Sequence, residues 1–254
     1  MKKQSLLSHL IATIALALCG VATAAQGASS SQEFSAQQGQ PVKNIILIGA
    51  NGETSREIIP RVLEQKDVKL TLFLRRASRM QNMQSDRINV VEGDADNLAD
   101  LTRSIRGQDI VISTMGGTDL DVKTANIVTA MKEAGVKRVI VVSAGGIYDE
   151  LPKSFNEWDK ARVGRYRAIN RKTADVVEQS TLAYTVLRPV WLTDKPIEQV
   201  VLTKKGETFK GTETSRASLA RFIAELVKDP AQYVNENIGI SQPNTDGDRP
   251  AAYR

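Results

Sequence analysis

Gly49 and Gly52 stand in the run Gly49-Ala-Asn51-Gly52-Glu53-Thr54-Ser55, directly behind the apolar stretch Asn44-Ile-Ile-Leu-Ile48. A glycine at 49 permits a tight turn, and one at 52 lets backbone N–H groups approach a pyrophosphate at the start of the following helix. Ser55 takes the place of the third glycine of the dinucleotide fingerprint and is small enough for helix–strand packing. A glycine pair alone is more often only a turn; between a strand and a helix it reads as a nucleotide site. The next apolar run ends in Phe73-Leu-Arg75-Arg76. An NAD-selective fold places an acid there for the ribose hydroxyls, whereas two guanidiniums suit the 2′-phosphate of NADP. The expected cofactor is therefore NADP, with NADPH preferred over NADH. Two later runs end in Glu92-Gly-Asp94-Ala95-Asp96 and Ser113-Thr114-Met115-Gly116-Gly117. Asp94 either faces the adenine or caps the next helix, and Thr114–Gly116 either pass over the ribose and nicotinamide or only form a turn. Their shared position at strand ends favours the cofactor.

Other chemistry is excluded by composition. The chain of 254 residues has one histidine, His9, and one cysteine, Cys19. Both fall in a segment with a basic start at Lys2-Lys3, an apolar stretch from Leu10 to Leu18, and small residues at Ala22-Thr-Ala24-Ala25. This is a secretory signal pattern. The apolar stretch is shorter than the roughly 20 residues that span a bilayer, so cleavage is expected and stable membrane insertion is not. No Arg-Arg pair precedes it, so the route is Sec-type and the destination the periplasm. Cys19 follows Leu16-Ala-Leu18, a bulky approach where lipoprotein signals carry a small residue. Export would leave no thiol and no imidazole, which excludes Cys or Ser-His-Asp nucleophiles and the usual zinc sets. It would also leave 32 basic against 29 acidic residues, too mild a surplus to imply nucleic acid as a partner. The expected partner is a small-molecule substrate.

Positioning these residues calls for alternating strands and helices. Residues 26–42 are small and polar and read as a flexible leader, and residues 43–254 suit one domain. Apolar runs at Asn44–Ile48, Lys69–Leu74, Asn89–Val91, Asp109–Thr114, Val139–Ser143 and Tyr184–Leu187 alternate with helical patterns. That order predicts a Rossmann-type, doubly wound parallel α/β sheet. Asn97 is an expected N-cap for Leu98–Ile105, and Val122–Ala134 should stop at Gly135. A longer helix is expected over Asp159–Gln179. After Pro189 the pattern loosens into a strand near Ile197–Leu202, a helix over Ser215–Val227 and a strand at Ile238–Ile240, together predicted to cap the strand ends.

Gly49–Ser55, Val91-Glu-Gly-Asp94, Gly107-Gln-Asp109, Gly135-Val-Lys-Arg-Val-Ile-Val-Val-Ser143-Ala and Tyr184-Thr-Val-Leu-Arg188-Pro189 resemble the atypical short-chain dehydrogenase/reductases. The resemblance is to their NAD(P)H-binding, NmrA-like group, which includes biliverdin-IXβ/flavin reductase, and it covers about residues 43–241. Thr214-Ser-Arg216-Ala-Ser218 is similar to the group's C-terminal Ser-Arg-x-Asp segment, with Ser218 replacing the acid. The resemblance implies that Ser143 meets substrate or nicotinamide, and that the segment after Pro189 closes over the nicotinamide with Trp191, Leu192 and Thr193 in the substrate wall. Trp191 equally suits core packing. Asn170 and Tyr148 are candidates for the substrate side, or else ordinary surface side chains.

The Tyr-x-x-x-Lys pair of short-chain dehydrogenases, which puts phenol and ammonium roughly 40° apart on one helix face, is absent. Lys172 is six residues from Tyr166, roughly 120° round a helix. Two readings follow: an oxidoreductase passing hydride to a flavin, quinone or similar acceptor that needs little acid catalysis, or a non-enzymatic NADP(H) sensor.

Overall fold

The run Ile45-Ile-Leu-Ile48 has no polar side chain to turn toward water, and all four residues are fully buried. In the computed structural model, which describes residues 41–197 and 199–254, they form the middle of a sheet covered on both faces. The expected export signal at residues 1–25 and the expected leader as far as residue 40 lie outside the described residues.

The first strand, β1 (Lys43–Ile48), leads into α1 (Glu53–Leu63), then β2 (Val68–Leu74), β3 (Ile88–Glu92), α2 (Leu98–Ile105), β4 (Ile110–Ser113), α3 (Leu120–Ala134), β5 (Arg138–Val142), α4 (Lys153–Glu178) and β6 (Ala183–Pro189). Two short strands, β7 (Trp191–Thr193) and β8 (Val201–Lys204), precede β9 (Glu213–Ser215), α5 (Arg216–Lys228) and β10 (Glu236–Ser241). The main sheet has eight strands in the order β3-β2-β1-β4-β5-β6-β10-β8. All its pairings are parallel except that of β8 with β10. Successive side chains of β1 point to opposite faces. Ile45 and Leu47 pack with Ile58 and Ile59 of α1 and Leu219 and Ile223 of α5. Ile46 and Ile48 pack with Leu101 of α2, Ile127 and Met131 of α3, and Val177 of α4. This is the doubly wound Rossmann arrangement, folded as a single domain, and the chain order reverses between β2 and β4 on either side of β1. A crevice opens at such a reversal because the flanking connections leave toward opposite faces.

Local signals behave as their chemistry dictates. The Asn97 side chain accepts from the Ala99 and Asp100 N–H groups, and Gly135 ends α3 at φ 75°. The C-terminal part differs from expectation. It does not simply cap the strand ends: β10 pairs with β6, and β8 then closes the edge antiparallel. The strand expected at Ile197–Leu202 lies instead at Val201–Lys204. β7 and β9, three residues each, form a separate parallel pair beyond the end of β6. Helix α4 starts at Lys153, behind Pro152, and leaves helical geometry at Val163 (φ −129°, ψ 16°). The neighbouring Gly164 tolerates such a break.

Candidate functional site

A cleft of about 540 Å³ opens where β1, β2, β3 and β4 end. Its floor is the turn after β1. Gly49 has φ 85°, and a Cβ there would also meet Met115 Cγ at 3.1 Å, so both the turn and its contact with the β4 loop require glycine. Gly52 is the N-cap of α1 and has no side chain to satisfy the first-turn N–H groups. These groups are a ready anion site at the positive end of the helix.

The two strand-end turns are tied together beneath this surface. Ser55, fully buried, donates to the Gly49 carbonyl at 3.0 Å, and its oxygen lies 2.6 Å from Thr114 Oγ1. Ser55 therefore joins the first turn to the loop after β4 and does not itself line the cleft. Asn51 lines the cleft and accepts from Arg56 Nη2 at 2.8 Å. Thr54 is half-buried in the first turn of α1. Glu53 is not in the cleft lining, and its carboxylate pairs with Arg216 at 2.7 Å.

Arg75 and Arg76 line the opposite wall, and Arg79 joins them from the short turn after β2. All three are exposed. Lys123 of α3 also reaches the cleft, held by Asp119 at 2.6 Å and Asp96 at 3.6 Å. Burial pulls the Lys123 ammonium down, but its two acids outweigh that and hold it above the ordinary lysine value. Asp94 and Ala95 line the wall beyond. The Asp94 carboxylate accepts from the Asp96 N–H at 3.1 Å, shaping the turn, while Asn97 caps the helix. Gly93 is a close approach: a Cβ would fall 2.4 Å from Phe73 Cε2, so the Phe73 ring can lie across the turn only because no side chain is there. Thr114, Met115 and Gly116 complete the lining. Arg79 and Lys123 lie outside the strand-end motifs, and Phe73 and Gly93 stand within them without any sign there that the ring crosses the turn, because these contacts are tertiary.

The β5 and β6 ends form the adjoining region. Ser143, buried, donates to the Asn170 carbonyl at 3.0 Å and lies 3.5 Å from its side-chain Oδ1, so these two predicted residues meet. The Pro189 carbonyl accepts from the Gly145 N–H at 2.7 Å, binding the loop after β5 to the end of β6. Tyr148 is placed differently. Its hydroxyl accepts from Asn237 Nδ2 at 2.8 Å, and Asn237 is level with Val186 in the middle of β6. Arg171, Lys205 and Arg188 lie 4.3, 4.7 and 5.2 Å from its ring centroid. Even so, burial and the Glu178 carboxylate keep the phenol above its ordinary value, so these cations do not make it a readier acid. Arg188 is fully buried, pairs with Glu150, and donates to Asn237 Oδ1 at 2.6 Å. Trp191 donates through Nε1 to Asp159 Oδ1 at 2.7 Å. Among the described residues no group of three or more His, Cys, Asp or Glu could hold a metal ion.

Comparison with known proteins is consistent with this geometry. The chain is 37% identical to a Rossmann-fold NAD(P)-binding protein from Shigella flexneri, covering 82% of this chain and 98% of that one, with a TM-score of 0.72. A short-chain dehydrogenase/reductase from Veillonella parvula, solved in complex with NADP, is 26% identical, with 82% and 99% covered and a TM-score of 0.77. A phenylcoumaran benzylic ether reductase from Pinus taeda is 27% identical over 216 residues, 78% of this chain and 69% of the relative. A family model described as NAD(P)H-binding matches residues 49–230, from the first glycine of the turn to the end of α5 and just beyond. The glycine turn, the cleft and the sheet reversal thus belong to a known type, and the chain is a member of the NAD(P)H-binding family of atypical short-chain dehydrogenase/reductases.

Proposed function

We propose that the cleft binds NADP(H) and that the protein is an NADPH-dependent oxidoreductase acting on a small conjugated acceptor. The observation that carries the cofactor reading is the exposed Arg75-Arg76 pair at the end of β2, in the same cleft as the glycine turn. The bare first turn of α1 would receive the pyrophosphate, and the two guanidiniums would take the 2′-phosphate in fork geometry. Asp94 and Ala95 would border the adenine, and Thr114–Gly116 the ribose. Bound NADPH would supply hydride chemistry. The chain's own part is orientation: Ser143, aligned by Asn170, would fix the nicotinamide end or the acceptor beside Pro189. The test is the ratio of NADPH to NADH affinity, by titration calorimetry. A charge-assisted hydrogen bond is worth about 1.5–3 kcal/mol, so changing both Arg75 and Arg76 to Ala should weaken NADPH by at least about tenfold and leave NADH nearly unchanged. Equal affinities in the unaltered protein would sink the NADP assignment.

The placement of Tyr148 favours a second reading. With its hydroxyl engaged by Asn237 and its pKa pushed up, the chain brings no activated phenol to Ser143. A protein that binds NADPH but oxidises it no faster than a blank across flavins, quinones and aldehydes would be a nucleotide sensor.

A further inference from the structure

Beyond the end of β6 three aromatic rings meet. Trp158 of α4, Trp191 of β7 and Tyr253 of the C-terminal turn stand with centroids 4.8, 5.2 and 5.1 Å apart, in tilted and edge-on contacts. Such offset geometry is the attractive one for aromatic pairs. Phe155 closes the inner side, 6.1 Å from Trp158. The Arg162 guanidinium lies 4.3 Å over the Trp158 ring and 5.9 Å from that of Tyr253.

Two observations set this cluster apart from ordinary packing. The first is a polar atom left over inside it. Trp158 Nε1 is a buried N–H donor without a hydrogen-bond partner. Buried groups of this kind are normally satisfied. The second is the origin of the third ring. Tyr253 is 47% exposed, on a turn tethered by the Ala251 N–H to Glu213 Oε1 at 2.6 Å and by Arg254 Nη2 to the Asp246 carbonyl at 2.8 Å. The ring is thus delivered by a strap whose anchors are separate from the aromatic contact.

We propose that the Trp158–Trp191 face is a binding seat for a planar aromatic ring carrying an anionic, hydrogen-bond-accepting substituent, and that Tyr253 is the chain's own stand-in for it. The incoming ring takes the place of Tyr253, its substituent meets Trp158 Nε1, and Arg162 covers the negative charge. Trp191 follows Pro189, and the Pro189 carbonyl is bonded to the loop after Ser143, so the seat adjoins the end of the cleft where an acceptor would react. This step rests on the reductase reading only for naming the occupant as the acceptor; the seat itself rests on the rings and the unmet indole N–H of Trp158.

The apparent affinity of a site that is open only part of the time is reduced by its open fraction. Binding of 3-hydroxy-2-naphthoate, a two-ring aromatic carboxylate, should therefore tighten by about tenfold or more when Tyr253 is changed to Ala. A chain ending at Asp248 should behave alike, and the point variant keeps the Glu213 anchor if the shortened chain fails to fold. In the Tyr253→Ala background, Trp158→Leu should weaken the naphthoate by a similar factor. Unchanged affinity on removal of the Tyr253 ring, or binding that survives loss of both tryptophans, would overturn the proposal. NADPH titrated into the same samples separates the two readings. Normal NADPH binding with no effect of Tyr253 on the naphthoate rejects the seat alone; the expected naphthoate response without nucleotide binding supports the seat and rejects the cofactor assignment.

Discussion

Arg188 is the largest side chain that is fully buried, and its position shows what the residue scale contributes. Its Nη1 pairs with Glu150, its Nε donates to Asn237, and Asn237 in turn holds Tyr148 and, at 2.7 Å, Glu178. Burial pulls the guanidinium below its ordinary pKa, with Glu150 opposing the shift. Removing one member of a buried pair strands the other's charge, which typically costs about 3–5 kcal/mol. Glu150→Ala should therefore lower stability by about that much in urea unfolding, with cofactor affinity largely retained in the folded fraction. A loss under about 1 kcal/mol would mean that water reaches Arg188 and relieves it. At this scale the sequence was partly legible. Gly49, Asn51, Gly52, Arg75, Arg76, Asp94 and Thr114 line the cleft as their places at strand ends predict. Ser55 is expected in the nucleotide turn as a small residue, but it lies beneath the cleft, because a hydroxyl's bond to a loop 59 residues away leaves no local pattern. Arg188 stands near the end of β6 as expected, but its burial and its bonds to Glu150 and Asn237 leave no sign in the sequence.

Among the elements, the central strands could be read down to the four residues of β4, whereas β7 and β9 could not, and the start of α4 lies six residues before the expected Asp159. β1 announces itself by the continuous apolar run Ile45–Ile48, β2 by apolar residues interrupted only at Lys69 and Thr71, and α2 by a local cap. β7 and β9 are too short for alternation to register, so the paired segment beyond β6 emerges only from the fold. The start of α4, behind Pro152, places Trp158 on the helix and near β7. Arg216 at the head of α5 joins these regions. Its guanidinium reaches Glu53 in the first turn of α1 at 2.7 Å and Asp194 just after β7 at 2.6 Å. One residue thus connects the proposed phosphate turn to the proposed substrate wall. Both acids are largely exposed, so each pair contributes about 0.2–1 kcal/mol. Arg216→Ala is expected to weaken NADPH binding about two- to tenfold with little change in thermal midpoint, measured by calorimetry and thermal unfolding. A large loss of stability with unaltered affinity would assign Arg216 to packing alone.

For the whole molecule, the unusual conjunction is an export pattern ahead of a nucleotide-binding domain. We propose that residues 1–25 direct Sec-type export and that the domain works in the periplasm. The support is the sequence pattern itself, with Lys2-Lys3, the Leu10–Leu18 stretch and Ala22-Thr-Ala24-Ala25 in the required order. Sec transport passes an unfolded chain, so the cofactor would be acquired after folding. Fractionation with N-terminal sequencing should recover a periplasmic form starting within a residue or two of Gln26. A cytoplasmic protein that still begins at Met1 would overturn the export proposal and leave the cofactor reading intact.

Length sets one further property of this domain. A helix of 26 residues extends about 39 Å, whereas the seven residues of β6 behind it cover about 23 Å. Some 16 Å of α4 therefore cannot be matched by sheet, and the break at Val163 is where the surplus bends. The part before Val163 carries Phe155, Trp158, Asp159 and Arg162, and Trp158 and Asp159 reach Trp191 of β7 rather than a strand of the main sheet. A change in the length of this segment is therefore expected to act on the proposed aromatic seat before it acts on the glycine turn after β1.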